Sequence, residues 1–138
     1  MPGSLSNYLE DEILDHVFGG ADYARPATVY IALCTTAPTD GALGTEINTA
    51  VWTNYSRPAI TNNATNFPAA SGGVKTNGTV ISFGTASITG TPPVVIGAAI
   101  MDASSGGNML AWCSFTGQTI NPGAPISCQP GDLNITMD

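Results

Sequence analysis

The chain has 138 residues, 43% of them hydrophobic and only 9% charged, against about 25% charged in an ordinary soluble domain. Three basic residues, Arg25, Arg57 and Lys75, stand against ten acidic ones, a formal net charge of −7. Basic residues this few and this scattered exclude phosphate neutralisation of nucleic acid and adhesion to an anionic membrane surface. No apolar run approaches the roughly 20 residues of a membrane-spanning helix.

Residues 4–18 read as the one helix. Ser4 or Ser6 suits the N-cap, and Asn7 with Glu10 has capping-box spacing. Leu5, Leu9, Ile13 and Val17 recur every four residues as one apolar stripe, and Gly19-Gly20 ends it. Asp11, Glu12 and Asp15 share a flank, either a solvated face or an acidic docking face. His16 falls beside the stripe.

After the helix the period becomes two. Thr28 to Thr35 reads as a strand covered on both faces, broken by the turn chemistry of 37–41. A long polar loop, 36–56, holds Trp52 and Tyr55. Arg57 to Thr61 reads as a short edge strand, 62–78 as a second long loop, and Thr79 to Phe83 as another strand. Val94 to Ala103, with Gly97 at a bulge, and Asn108 to Phe115 should pair as an antiparallel hairpin around 104–107. Short strands follow at 117–120, 126–129 and 133–137, where Leu133, Ile135 and Met137 alternate with Asn134, Thr136 and Asp138. About eight short strands and one N-terminal α-helix predict a mainly β protein, an antiparallel β-sandwich, as a single domain over 1–138. Connections as long as 36–56 and 62–78 are generally functional or ordered by a partner.

The 17 Thr, 10 Asn, 16 Gly and 10 Pro imply a surface of hydroxyl, amide and backbone groups. Such a surface suits a protein packed in an assembly, with little charge to desolvate on docking. The strand propensity of Thr accounts for the same composition. Cys34, Cys113 and Cys128 show no zinc spacing. They read as buried thiols, with a Cys34–Cys113 or Cys113–Cys128 disulfide left open. The start lacks the n- and h-regions of a secretory signal. The sequons at Asn54, Asn63, Asn77 and Asn134 therefore read as products of composition.

Catalytic constellations are missing from the sequence. Serine and cysteine hydrolysis both need a histidine base, and the sole His16 sits in the helix without an elbow motif. Acidic residues outside the helix fall mostly at turns, where they cap backbone N–H groups. Asp102, Asn108 and Asp132 offer oxygens to calcium, but no D-x-[DN]-x-[DN]-G loop exists. The expectation is a non-enzyme with no metal and no cofactor.

Four segments, LSNYLEDEILDHVFGG, TVYIALCTTAPTDG, VVIGAAIMDASSGGNMLAW and PGDLNITMD, resemble a family of small tailed-phage virion proteins often labelled tail fibre proteins. The family pattern is LxNxLExxLLDHxFG, LxTxAP, IGIxDAxxGGNLLA and GDLxIxxD. The chain departs from it at Ala98-Ala99 and in a longer 62–78 loop. The resemblance implies a structural protein of the phage particle, made in the host cytoplasm. One domain without shaft repeats is small for a fibre. The first expectation is therefore a capsid decoration or cement protein on the head surface, bound to the major capsid protein and to copies of itself. A tail fibre or tail-tip module, contacting other tail proteins or host glycan, is the alternative. A carbohydrate-binding module is the third reading. Expected partner contacts are Trp52, Asn54, Tyr55, Phe67 and Lys75, because aromatic residues dominate interface hot spots and these lie in the long loops.

Overall fold

A computed structural model describes residues 2–137. The apolar run Thr28–Cys34 forms β2, and its alternating side chains split between two environments. Val29, Ile31 and Leu33 enter the main core, while Ala32 joins Ala99, Met101 and Met109 on the opposite face, under Tyr30, Leu43 and Trp112. Both faces of this strand are thus covered, as its unbroken apolar character requires. The hairpin partners are β6 (Val94–Met101) and β7 (Met109–Thr119). Small Ala32 lies opposite Ala99, which lets the covering segment approach closely. Gly97 marks a register shift, as expected, and a Cβ there would stand 2.3 Å from Cδ of the buried Pro38.

The remaining strands are β1 (Pro2–Leu5), β3 (Ala59–Thr61), β4 (Val74–Thr76), β5 (Ile81–Thr85), β8 (Pro125–Cys128) and β9 (Asn134–Thr136). Seven strands make one curled sheet in the order β3-β2-β6-β7-β1-β9-β4, and β5-β8 form a second, two-stranded sheet. Phe83, Ile81 and Ile126 of the small sheet pack against the core that the large sheet presents, completing a sandwich. The expected mainly β sandwich with one helix is therefore observed, with three corrections of detail. The strand expected at 117–120 is the end of β7. Strand β4 lies inside the expected 62–78 loop. Residues 2–5 form β1, antiparallel to β7 and parallel to β9, so Ser4 and Leu5 are strand instead of helix.

That last correction moves the helix. α1 spans Asn7–Val17, with Ser6 as N-cap: its hydroxyl accepts from Leu9 N–H at 3.3 Å and donates to the Met109 carbonyl. Leu5 is buried, but in β1, so its place in the i, i+4 series with Leu9 and Ile13 is coincidental. Tyr8, Leu9 and Ile13 pack on the core, whereas Val17 is 60% exposed. Phe18 is the C-cap, Gly19 takes φ 92°, and Gly20 N–H donates to Asp15 O at 2.7 Å, a Schellman-type end. Of the alternating series 133–138, Leu133 is buried and Asp138 lies outside the described residues.

Candidate functional site

Three segments far apart in sequence meet around one buried charge. Thr35 and Thr36 hold the backbone of Thr45, and Cys34 bridges Glu46, which places the Glu46 carboxylate beside the end of β2. Arg57, at the entry to β3, meets it in a bidentate pair: Nε to Oε1 at 2.9 Å and Nη2 to Oε2 at 2.7 Å. Only 4% of the Arg57 side chain and 25% of the Glu46 side chain are exposed. Arg57 Nη1 donates to the carbonyls of Ala103 and Gly106 at 2.8 and 2.9 Å, fixing the β6–β7 turn. The Tyr55 hydroxyl donates to Glu46 Oε1 at 2.8 Å and accepts from Leu33 N–H at 2.9 Å. Burial by itself would raise the Glu46 carboxyl, but the bonds from Arg57 and Tyr55 and the Arg57 charge outweigh it and hold it below the usual carboxylate range. Burial first, then the hydrogen bond to Glu46 and its charge, drive the Tyr55 phenol up.

In front of this network lies a cleft of about 380 Å³. Asn7 and Tyr8 from the start of α1, Asp40 and Leu43 from the 36–56 segment, Arg57, and Asn108 of the β6–β7 turn line it. Its polar groups hold the fold together. Asp40 Oδ1 accepts from Trp112 Nε1 at 2.8 Å. The Asp102 carboxylate accepts from Asn108 N–H at 2.7 Å and from Asn108 Nδ2 at 2.9 Å. No nucleophile is paired with a base along this cleft, because the one histidine is elsewhere: His16 Nδ1 accepts from Tyr23 N–H at 3.2 Å and lies 3.5 Å from Asp22. Asp132, the third residue offered to calcium, accepts from Gln129 N–H at 2.7 Å in a separate turn. Among the described residues no group of three or more His, Cys, Asp or Glu is placed to hold a metal ion.

The residues expected to contact a partner are differently placed. Trp52 is 0% exposed, with ring centroids 5.4 Å from Tyr55 and 6.4 Å from Phe83; Phe67 is also buried. Trp52 and Phe67 are staples of the core, and Tyr55 packs against it half-buried. Asn54 is exposed but engaged: its Oδ1 accepts from Trp52 Nε1 and Ser87 N–H, and its Nδ2 donates to Thr85 O. Lys75 Nζ donates to Pro68 O at 2.9 Å. The two long loops are thus ordered from within, by enclosed aromatic rings and by asparagine turns such as Asn63 Oδ1 accepting from Thr65 and Asn66 N–H. The three cysteines are free thiols, so neither disulfide forms.

The family described as Podophage GP4 fiber I protein gp80 matches residues 4–136, from β1 to β9. The chain belongs to that family. No curated protein matches it. As a member of this fibre family it is a structural protein of a phage particle.

Two features of this family member differ in how far the sequence announces them. Arg57 and Glu46 are eleven positions apart in irregular segments, and nothing in the spacing announces their pairing. The outer face of α1 was legible: Leu14 and Phe18 stand at i, i+4 opposite the packed stripe, a second apolar row that the first one hides. Leu14 is 54% exposed and Phe18 80%.

Proposed function

We propose that the chain is a non-enzymatic tail-fibre component of the virion, attached through neighbouring tail proteins. The match of a fibre family across residues 4–136 carries this reading. The family favours the fibre alternative over capsid decoration, which rested on size and charge and gains no support from it. The chemistry of the chain agrees with a scaffolding role. The buried ion pair braces a turn and a loop, and the Asp40 and Asp102 carboxylates accept internal hydrogen bonds. Gold-labelled antibody against the chain, imaged on intact virions by electron microscopy, tests the assignment. Label at the tail, with few copies per particle by gel densitometry, is expected. Label spread over the head in hundreds of copies would return the chain to capsid decoration.

A further inference from the structure

The outward face of helix α1 runs against the solvation pattern of the chain. Leu14, Val17 and Phe18 are 54%, 60% and 80% exposed, and their i, i+3, i+4 spacing puts them on one surface. The other large exposed apolar residues described, Val80, Val94 and Met137, lie on separate segments of the chain. An amphipathic helix normally turns polar residues outward, and a contiguous apolar patch with a polar rim marks an interaction surface. This one is held in shape. Phe18 N–H donates to Leu14 O at 2.9 Å and Gly20 N–H to Asp15 O at 2.7 Å, so the cap fixes the backbone that carries the three side chains.

The rim selects the occupant. Glu10, Asp11, Glu12, Asp15 and Asp22 are five of the ten acidic residues, gathered in 10–22, and no Lys or Arg occurs before Arg25. Asp11, Asp15 and Asp22 are exposed. The C-terminal end of a helix adds partial negative charge at the same place. A second copy would bring a net charge of −7 and an identical acidic rim, so symmetric pairing through this face is repelled. A partner with Lys or Arg flanking apolar residues is attracted and buries the three side chains.

We propose that this face, Leu14, Val17 and Phe18 rimmed by Asp11 and Asp15, docks a basic, apolar segment of a different virion protein. The inference rests on the chain being a virion component. The Phe18 ring is the anchor, since aromatic side chains dominate such contacts.

The test places a photo-crosslinking phenylalanine analogue at position 18, and at Ser127 of β8 as a control, in full-length chain supplied during infection. Purified virions are irradiated and the adducts sequenced by mass spectrometry. The expected adduct from position 18 joins another virion protein at a peptide carrying Lys or Arg beside apolar residues. Neutralising the rim with Asp11→Asn and Asp15→Asn should lower its yield by about tenfold. Phe18→Ser, with an unchanged thermal melt, should lower incorporation into virions by a similar factor. An adduct to a second copy of this chain, an adduct peptide without basic residues, or normal incorporation of the Phe18→Ser chain overturns the proposal. Gold label on the head together with the expected adduct would overturn the fibre reading alone; label on the tail without the adduct would overturn the docking face alone.

Discussion

Arg57→Ala tests the reasoning about the buried pair. The guanidinium makes four hydrogen bonds, two to Glu46 and one each to the Ala103 and Gly106 carbonyls. Truncation leaves a half-buried carboxylate held only by Tyr55 and two turn carbonyls without their donor. Breaking a buried pair costs about 3–5 kcal/mol, and the water that reaches a quarter of Glu46 puts this case near 3. With a urea m-value of about 2 kcal/mol/M, the unfolding midpoint should fall by roughly 1.5 M, at unchanged m. The pH dependence is more diagnostic. In the parent, the Glu46 carboxyl is held low, so its contribution is present above the unfolded value, about 4.3, and is lost as pH falls through the lower folded value. Without Arg57, burial becomes the leading influence and pushes that carboxyl above its unfolded value. Its charge then destabilises the variant at neutral pH, and acid relieves it. The stability gap between parent and Arg57→Ala should therefore narrow from pH 7 to pH 4, and the gap between Glu46→Gln and Glu46→Gln/Arg57→Ala should not. A loss below about 1 kcal/mol, in the range of surface pairs, or a gap that widens in acid, would refute the account.

Asn77 is buried, with Nδ2 donating to Thr79 O and Gln129 O and Oδ1 accepting from Leu133 N–H. Asn77→Asp should cost about 2–3 kcal/mol at pH 7, because it sets a carboxylate oxygen against two carbonyls. Part of that loss should return in acid as the raised carboxyl protonates, and an unaltered urea midpoint at pH 7 would contradict this. Gly97→Ala drives a Cβ to 2.3 Å from Pro38 Cδ and 3.0 Å from Cys113 O. A loss of about 1–3 kcal/mol in calorimetry is expected, with partial recovery in Gly97→Ala/Pro38→Ala; full stability of the single variant counts against the contact. The Cys34 thiol, pushed up to about 12 by burial first and by the Glu46 charge second, should resist iodoacetamide at pH 8 while the protein is folded and react in urea. Rapid alkylation of folded protein, read by mass, would show that the site opens.

Sequence carried much of the sheet and little of the site, for reasons visible in particular residues. Strands β2, β6 and β7 are long and apolar, so local preference and tertiary need agree. Strand β1 contains Pro and Gly in four residues; it is a strand because β7 and β9 lie on either side of it, and no local pattern encodes that. Strand β4 is three residues in an Asn- and Gly-rich stretch and exists through pairing with β9. The helix starts later than the spacing implies because Leu5 continues the four-residue period across the change from strand to helix at Ser6. Polar composition around Trp52 and Tyr55 suggested loops in need of a partner, yet the aromatic side chains themselves fold those loops inward. The Glu46–Arg57 pair is a long-range arrangement between two irregular segments, beyond any motif.

The position of β1 between β7 and β9 bears on how the chain acquires its structure. Strands β9 and β4 reach the large sheet only through β1, which pairs with β7 on one side and β9 on the other. During synthesis, residues 2–5 emerge well before the strands that flank them, 109–119 and 134–136. Loop closure over such separations is entropically costly, and β1 can pair only once those later strands exist. A nascent chain halted before β7 has neither neighbour for β1, and the quality of folding in the infected cell depends on the chain being completed.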